Sequence, residues 1–197
     1  MAIVLEDFGG ESLKRLMQEC PFTLSKSLSL AIQIADILGY IHAENIVHKD
    51  INPANIVLNR STNQLKIIDF SIASIFAPEK LTEQSALKNP QVLEGTLAYI
   101  SPEQTGRMNR TLDYRTDYYS LGATLYEMLT RQLPFEIASA LELVHCHIAK
   151  QPKPAAEVDR AIPAAVSQII AKLLAKNAED RYQSAWGIKA DLEECLN

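Results

Sequence analysis

Between Ile46 and Phe70, two short apolar runs, Asn55–Leu58 and Leu65–Ile68, flank the polar stretch Asn59–Gln64. That pattern reads as a β-hairpin, and a hairpin sets whatever precedes its first strand beside whatever follows its second. His48, Lys49, Asp50 and Asn55 come before and Asp69 comes after, so Asp50, Asn55 and Asp69 are expected together at one end of a small sheet. Two carboxylates and an amide suit Mg²⁺, a hard cation that takes oxygen ligands and usually shares them with phosphates. The five-residue step from Asp50 to Asn55 lets one short loop supply both a base and a metal ligand.

Around the hairpin the pattern is helical. Glu11–Glu19 is a short amphipathic helix that Pro21 ends, and Gly9-Gly10 before it reads as a flexible turn. Leu24–Ala43 is apolar on most sides, so it must be largely buried, and it delivers the chain to His48. Ser71–Ser101 carries Pro78 and Pro90 and gives poor helix and strand signals. Gly106–Arg115 is basic and polar and reads as a solvated loop. A helix opens at Thr116-Asp117 and runs to about Thr130, with Asp117 placed to cap free backbone N–H groups. Ala138–Lys150, Pro163–Ala175 and Ser184–Leu196 complete the helical set. His145-Cys146-His147 is not a metal site, because neighbouring helical residues diverge by about 100° each and cannot converge on one ion.

With 197 residues and 47% apolar content, the chain can bury one good core as a single domain. A net charge of −5 argues against a nucleic-acid or anionic-membrane partner. Cys20, Cys146 and Cys195 form no pair or ligand spacing and read as free thiols in a reducing compartment. No apolar run approaches the roughly 18 residues of a membrane span, and no basic-then-apolar leader is visible. The expected setting is cytoplasmic.

The ordered set His48-Lys49-Asp50, four residues, Asn55, a strand pair and Asp69-Phe70-Ser71 resembles the catalytic loop and metal-binding motif of protein kinases. The resemblance spans essentially all 197 residues. It continues in Gly95-Thr96-Leu97-Ala98-Tyr99-Ile100, in Ser101-Pro102-Glu103, in the helix from Asp117 to Gly122, in Leu133-Pro134-Phe135 and in Arg181. It implies a mainly α fold, the kinase C-terminal helical lobe with a small β-hairpin at the catalytic loop and with the N-terminal lobe absent. Residues 1–197 would then be one partial domain, hinge plus C-terminal lobe, acting in Mg²⁺- and ATP-dependent transfer of phosphate to protein Ser/Thr hydroxyls. By the same resemblance Asp50 orients the acceptor hydroxyl and takes its proton, while Asn55 and Asp69 hold Mg²⁺. Leu5 is the gatekeeper, Glu6 to Phe8 form the hinge that reads adenine, and Val57 is the floor beneath it. Thr96 points to serine/threonine acceptors, His48 props Phe70, Asp117 holds the catalytic-loop backbone, and Glu103 pairs with a buried Arg181.

Asp50-Ile51-Asn52-Pro53-Ala54-Asn55, Thr105-Gly106-Arg107-Met108-Asn109 and the ending Asp191-Leu192-Glu193-Glu194-Cys195 are more particular. They look like the kinase front end of large bacterial signalling proteins that continue into NTPase, GAF and histidine kinase modules. The implied partners are ATP, a protein substrate that the sequence does not name, the missing N-terminal lobe and downstream signalling modules. No glycine-rich phosphate loop, strand lysine or partnering helix glutamate stands before the hinge.

Three positions depart from the family pattern. Asn52 stands where a catalytic Lys is usual; an amide donates a hydrogen bond but supplies no charge, and losing one such stabiliser costs on the order of 10²–10³ in rate. Lys49 replaces an Arg and lacks its bidentate fork. Ser71 replaces a flexible Gly. Two alternative readings follow, a pseudokinase-like interaction module and a truncated gene product without catalysis.

Overall fold

The structure, a computed structural model, describes residues 8–75, 97–107 and 112–196. Leu5, Glu6 and Thr96, with the strand expected over Ala2–Leu5 and the prolines at 78 and 90, lie outside the described residues.

The core is built on α2 (Leu24–Ala43), whose first turn is capped by the Thr23 hydroxyl accepting from the Lys26 N–H. Leu28, Leu30, Ala31, Ile34, Ala35 and Leu38 are all within 1% of full burial. A helix apolar on so many sides needs several neighbours. It finds them in α3 (Arg115–Thr130), in α7 (Ala185–Leu196), with which it packs most extensively, and in strand β4 (Gln64–Ile67). Each fully buried Leu or Ile contributes about 1.5–3 kcal/mol before entropy is counted. By length and composition α2 could also cross a membrane, the one such helix among the described residues. This differs from the expectation of no such run, because Lys26 and Asp36 interrupt the stretch without lowering its average below that of a span. In the fold its apolar side chains are taken up by α3, α7 and β4.

Helix α3 crosses close to α6 (Ala164–Leu173) because Gly122 lets it. A Cβ at Gly122 would sit 2.7 Å from the Leu173 Cβ, well inside contact distance. The short α5 (Ala155–Val158) packs on α3 and α6. A second, smaller core of Leu97, Ile100, Phe135, Leu143, Val144 and Cys146 seats α4 (Ala140–Ala149) against the single turn Leu97–Tyr99. On α4, His145 is exposed and His147 buried, so the two imidazoles do face apart. Burial, with Lys176 nearby, pushes His147 down to about 3, which keeps it neutral beside the Tyr119 hydroxyl at 2.9 Å.

The hairpin consists of β3 (Ile56–Asn59) and β4, antiparallel, with Ile56 opposite Ile67 and Leu58 opposite Leu65. Its alternate residues Ile56, Leu58, Leu65 and Ile67 face the core. A third strand, β1 (Glu11–Ser12), adds to β3 with Ser12 opposite Val57. This corrects the expectation of a helix from Glu11. Helix α1 runs Leu13–Glu19 instead, with the Ser12 hydroxyl accepting from Arg15 N–H as its cap. Gly10 is likewise no open flexible turn, since a Cβ there would meet Val57 Cγ1 at 2.6 Å. A further ribbon pairs β2 (Ile46–Val47) with β5 (Ser74–Ile75), two-residue strands too short to show a period.

Candidate active site

The end of α2 and the two small sheets converge on the loop 48–55. Its backbone is fastened from α3. Asp117 lies in the first turn of α3, completely buried, yet its carboxylate caps nothing in its own helix. Oδ2 accepts from the His48 backbone N–H at 2.9 Å and Oδ1 from the Lys49 N–H at 2.7 Å. His42, on the last turn of α2, meets Oδ2 through Nε2 at 2.8 Å. Such charge-assisted bonds are about twice as strong as neutral ones. They hold Lys49 in the left-handed region, at φ 69°, which is unfavourable for a residue with a Cβ. Burial holds the Lys49 ammonium below its ordinary value, against the opposing pull of Asp117.

The loop then folds over Asp50. Asn55 Nδ2 donates to Asp50 Oδ2 at 2.7 Å and to the Asp50 carbonyl at 2.9 Å. Asn52 Nδ2 donates to Asp50 Oδ1 at 2.9 Å, while its own Oδ1 accepts from Ala54 N–H at 2.9 Å. Each carboxylate oxygen of Asp50 therefore accepts from an amide donor. Asn52 is buried and directs its nitrogen to the carboxylate.

Asp69 reaches the site through the hairpin. The Ile68 N–H donates to the Asn55 carbonyl at 2.9 Å, so Asp69 begins one residue from the loop. It too is left-handed, at φ 65°, and it is exposed. The Ser71 hydroxyl and then the Ser71 backbone N–H hold the Asp69 carboxyl below its usual range. His48 bonds the Ile68 carbonyl through Nε2 at 3.0 Å and packs edge-on against Phe70, with ring centroids 4.6 Å apart.

The donor set fits Mg²⁺. Asp69 offers carboxylate oxygens, and Asn55, its nitrogen engaged by Asp50, offers its amide oxygen. Among the described residues no cluster of three or more His, Cys, Asp or Glu could cage a metal. An ion held by few protein oxygens and completed by phosphates and water matches Mg²⁺ chemistry.

Two predicted residues lie further off. Val57 Cγ1 faces Gly10 from the middle of β3. Phe8 gives its carbonyl to Asn59 Nδ2 at 2.8 Å, but its ring lies under Lys66 Nζ, 4.4 Å from the centroid. That ring lines a groove of about 350 Å³ with Ile32, Ile37 and Leu65, and none of Asp50, Asn55 and Asp69 lines it.

Behind the site, Glu103 and Arg181 form a bidentate pair at 2.6 and 2.8 Å with the Arg side chain wholly buried. Burial alone would raise the Glu103 carboxyl; the Arg181 guanidinium and the Thr116 hydroxyl outweigh it and hold it below the ordinary range. Arg181 also donates to the carbonyls of Ala175 and Arg115, so its fork is well used. Sequence reasoning missed His42 and Gln104. His42 gives no signal beyond lying at the end of α2, six residues before the loop, and Gln104 none beyond following Glu103.

Residues 1–191 match the family described as the protein kinase domain. The serine/threonine-protein kinase PknB of Mycobacterium tuberculosis is 35% identical over 196 residues, covering 99% of this chain and 30% of that protein. Probable serine/threonine-protein kinases of Streptomyces coelicolor and Clostridium acetobutylicum are 35% and 34% identical, each over 99% of this chain and 28% of their own length. The chain thus spans under a third of the curated relatives it matches. With the family's model matching residues 1–191 and the catalytic-loop residues gathered on one clamped loop, this chain belongs to the protein kinase family.

Proposed function

We propose that the chain supplies the catalytic, C-terminal lobe for Mg²⁺- and ATP-dependent phosphorylation of protein Ser/Thr hydroxyls in bacterial signalling. The observation that carries this reading is the Asp50 carboxylate, oriented by the Asn52 and Asn55 amides on a backbone clamped by Asp117. In this reading Asp50 accepts a hydrogen bond from the acceptor hydroxyl, aims its oxygen at the γ-phosphorus, and takes the proton as the new O–P bond forms. Asn55 and Asp69 would hold Mg²⁺, which neutralises charge on the phosphates when bound. Val57 lies beneath adenine, Leu5 and Glu6 to Phe8 border it, and Thr96 shapes the acceptor floor. The acceptor class follows the relatives, which carry serine/threonine kinase names.

In this reading an N-terminal lobe completes the nucleotide side of the site. Ile68, Phe70, Ile72 and Ile75 are 44%, 44%, 53% and 76% exposed around the metal motif, and apolar side chains grouped like this mark a face that another surface covers. The fragment alone should be inactive, and the site of action cytoplasmic. The test is phosphate transfer and Mg²⁺-dependent nucleotide binding in the protein joined to its small lobe. Asp50→Asn should abolish transfer and spare binding, and Asp69→Asn should abolish binding. Equal loss of affinity in both variants would contradict the separate roles.

One observation favours a second reading, a pseudokinase-like interaction module. The Asn52 nitrogen is spent on Asp50 and is not held out toward a phosphoryl group. Nucleotide binding without any Asp50-dependent transfer would select that reading.

A further inference from the structure

We infer that Gln104 is a positioning residue that fixes the left-handed turn at Lys49 and ties it to the segment before α3. Only its effect on transfer rests on the reading of Asp50 as the base. Glu103 and Gln104 are adjacent but turn their side chains to different tasks. The Glu103 carboxylate is spent on Arg181 and Thr116. Gln104 Nε2 donates to the Lys49 carbonyl at 2.7 Å, and its Oε1 accepts from the Ser101 N–H at 3.1 Å and the Ser101 hydroxyl at 3.0 Å. A carbonyl only accepts and a backbone N–H only donates, so these partners fix which way the amide points.

Lys49 needs such a hold. At φ 69° it occupies a conformation that L-residues with a Cβ leave readily. Its N–H is held by Asp117 and its carbonyl by Gln104, so both ends are fastened by side chains rather than by a sheet or helix. The Lys49 carbonyl opens the peptide that leads into Asp50, whose N–H on the other side donates to His48 Nδ1 at 3.2 Å; releasing the carbonyl removes one of the holds on that peptide and loosens the placement of the Asp50 carboxylate. Gln104 thereby joins the segment 97–101, through buried Ser101, to the residue before Asp50. It is itself only half-buried, so the core does not depend on it. The function needs a donor and an acceptor in one side chain. A carboxylate at 104 could still accept from Ser101 but would face the Lys49 carbonyl with a second acceptor, and a thioether offers Lys49 no donor at all.

The experiment is NMR of the labelled chain as wild type, Gln104→Glu and Gln104→Met. Both variants are expected to move the Lys49 Cα and Cβ shifts away from left-handed values. Both should also speed amide exchange at Lys49 and Asp50 at least tenfold, with α2 unchanged. Ser101 should stay protected with Glu and lose protection only with Met. Unchanged Lys49 and Asp50 signals in the Glu variant would overturn the inference. So would equal acceleration across Ser101 and α2, which is general loosening. Should the Glu variant fail to fold, the Met variant carries the same Lys49 and Asp50 readout. In the protein joined to its small lobe, both variants should lower kcat with KM for ATP little changed, and a displaced Lys49 with unchanged kcat would overturn the positioning role. Transfer that survives Asp50→Asn would instead remove the base reading, leaving the NMR result to decide the clamp.

Discussion

The loop 48–55 and the segment Asp69–Ile75 meet at one site and are held in opposite ways. The loop is buried or half-buried along most of its length, and α3, the hairpin and the 103–105 turn bond its backbone. The segment is mostly exposed and turns its apolar side chains outward; among the described residues it is held by an edge-on ring contact, an Asx turn, the Ala73 N–H to Phe70 carbonyl bond and the two-residue pairing of β2 with β5. In the proposed reading, the half that would handle the acceptor proton is held by this chain's own core, and the half that would meet nucleotide and metal presents an exposed apolar face. Such a division would let a base be rigid while the metal motif answers to whatever covers it, since segments with few buried contacts open at little cost.

The largest expected effect comes from breaking the frame beneath the loop. Arg181→Ala strands the buried Glu103 carboxylate, which typically costs about 3–5 kcal/mol. For a chain of this size that lowers the melting temperature by roughly 10 °C, read by calorimetry. The same pair carries a pH signature. Because the folded Glu103 carboxyl sits below its ordinary value of 4.5, its stabilisation is complete above about pH 5 and is lost as pH falls through the folded value. Wild type should therefore lose melting temperature on acidification more steeply than Arg181→Ala.

Asp117→Asn comes next. The amide keeps the shape but can accept from only one of the two loop N–H groups, and one lost charge-assisted bond costs about 2 kcal/mol. Denaturant melts should show this loss, and amide exchange should rise at His48 and Lys49 before it rises in α2. Equal rises throughout would mean that the loop has no clamp of its own.

On the exposed side, Ile75→Ser and Phe70→Ser should each change the stability of the isolated chain by no more than about 0.5 kcal/mol. The same changes should weaken association with a small lobe supplied in trans, measured by titration calorimetry. A large loss of stability in the chain alone would show that this face is finished already.

What could be read from the sequence follows the same division. The bounds of α2, the hairpin, and the meeting of Glu103 with Arg181 across 78 residues were legible, because strong periodicity or an ordered motif fixes them. The two-residue strands β1, β2 and β5 were not, since a pair of residues has no period and only tertiary pairing makes it a strand. Asn52 illustrates the limit within the site. Its position was evident, but its choice of Asp50 as partner depends on a side-chain torsion that spacing does not encode.

The most direct measurement is radiolabelled phosphate transfer by the purified 197-residue chain, alone and with its small lobe restored, each beside Asp50→Asn. Transfer in this family depends on positioning and charge stabilisation around the γ-phosphate, and an open site weakens every such contact. The account expects no transfer from the chain alone, with nucleotide binding no tighter than about millimolar, and Asp50-dependent transfer once the lobe is present. Transfer by the chain alone that Asp50→Asn abolishes would contradict it, as would a restored protein whose transfer is indifferent to Asp50.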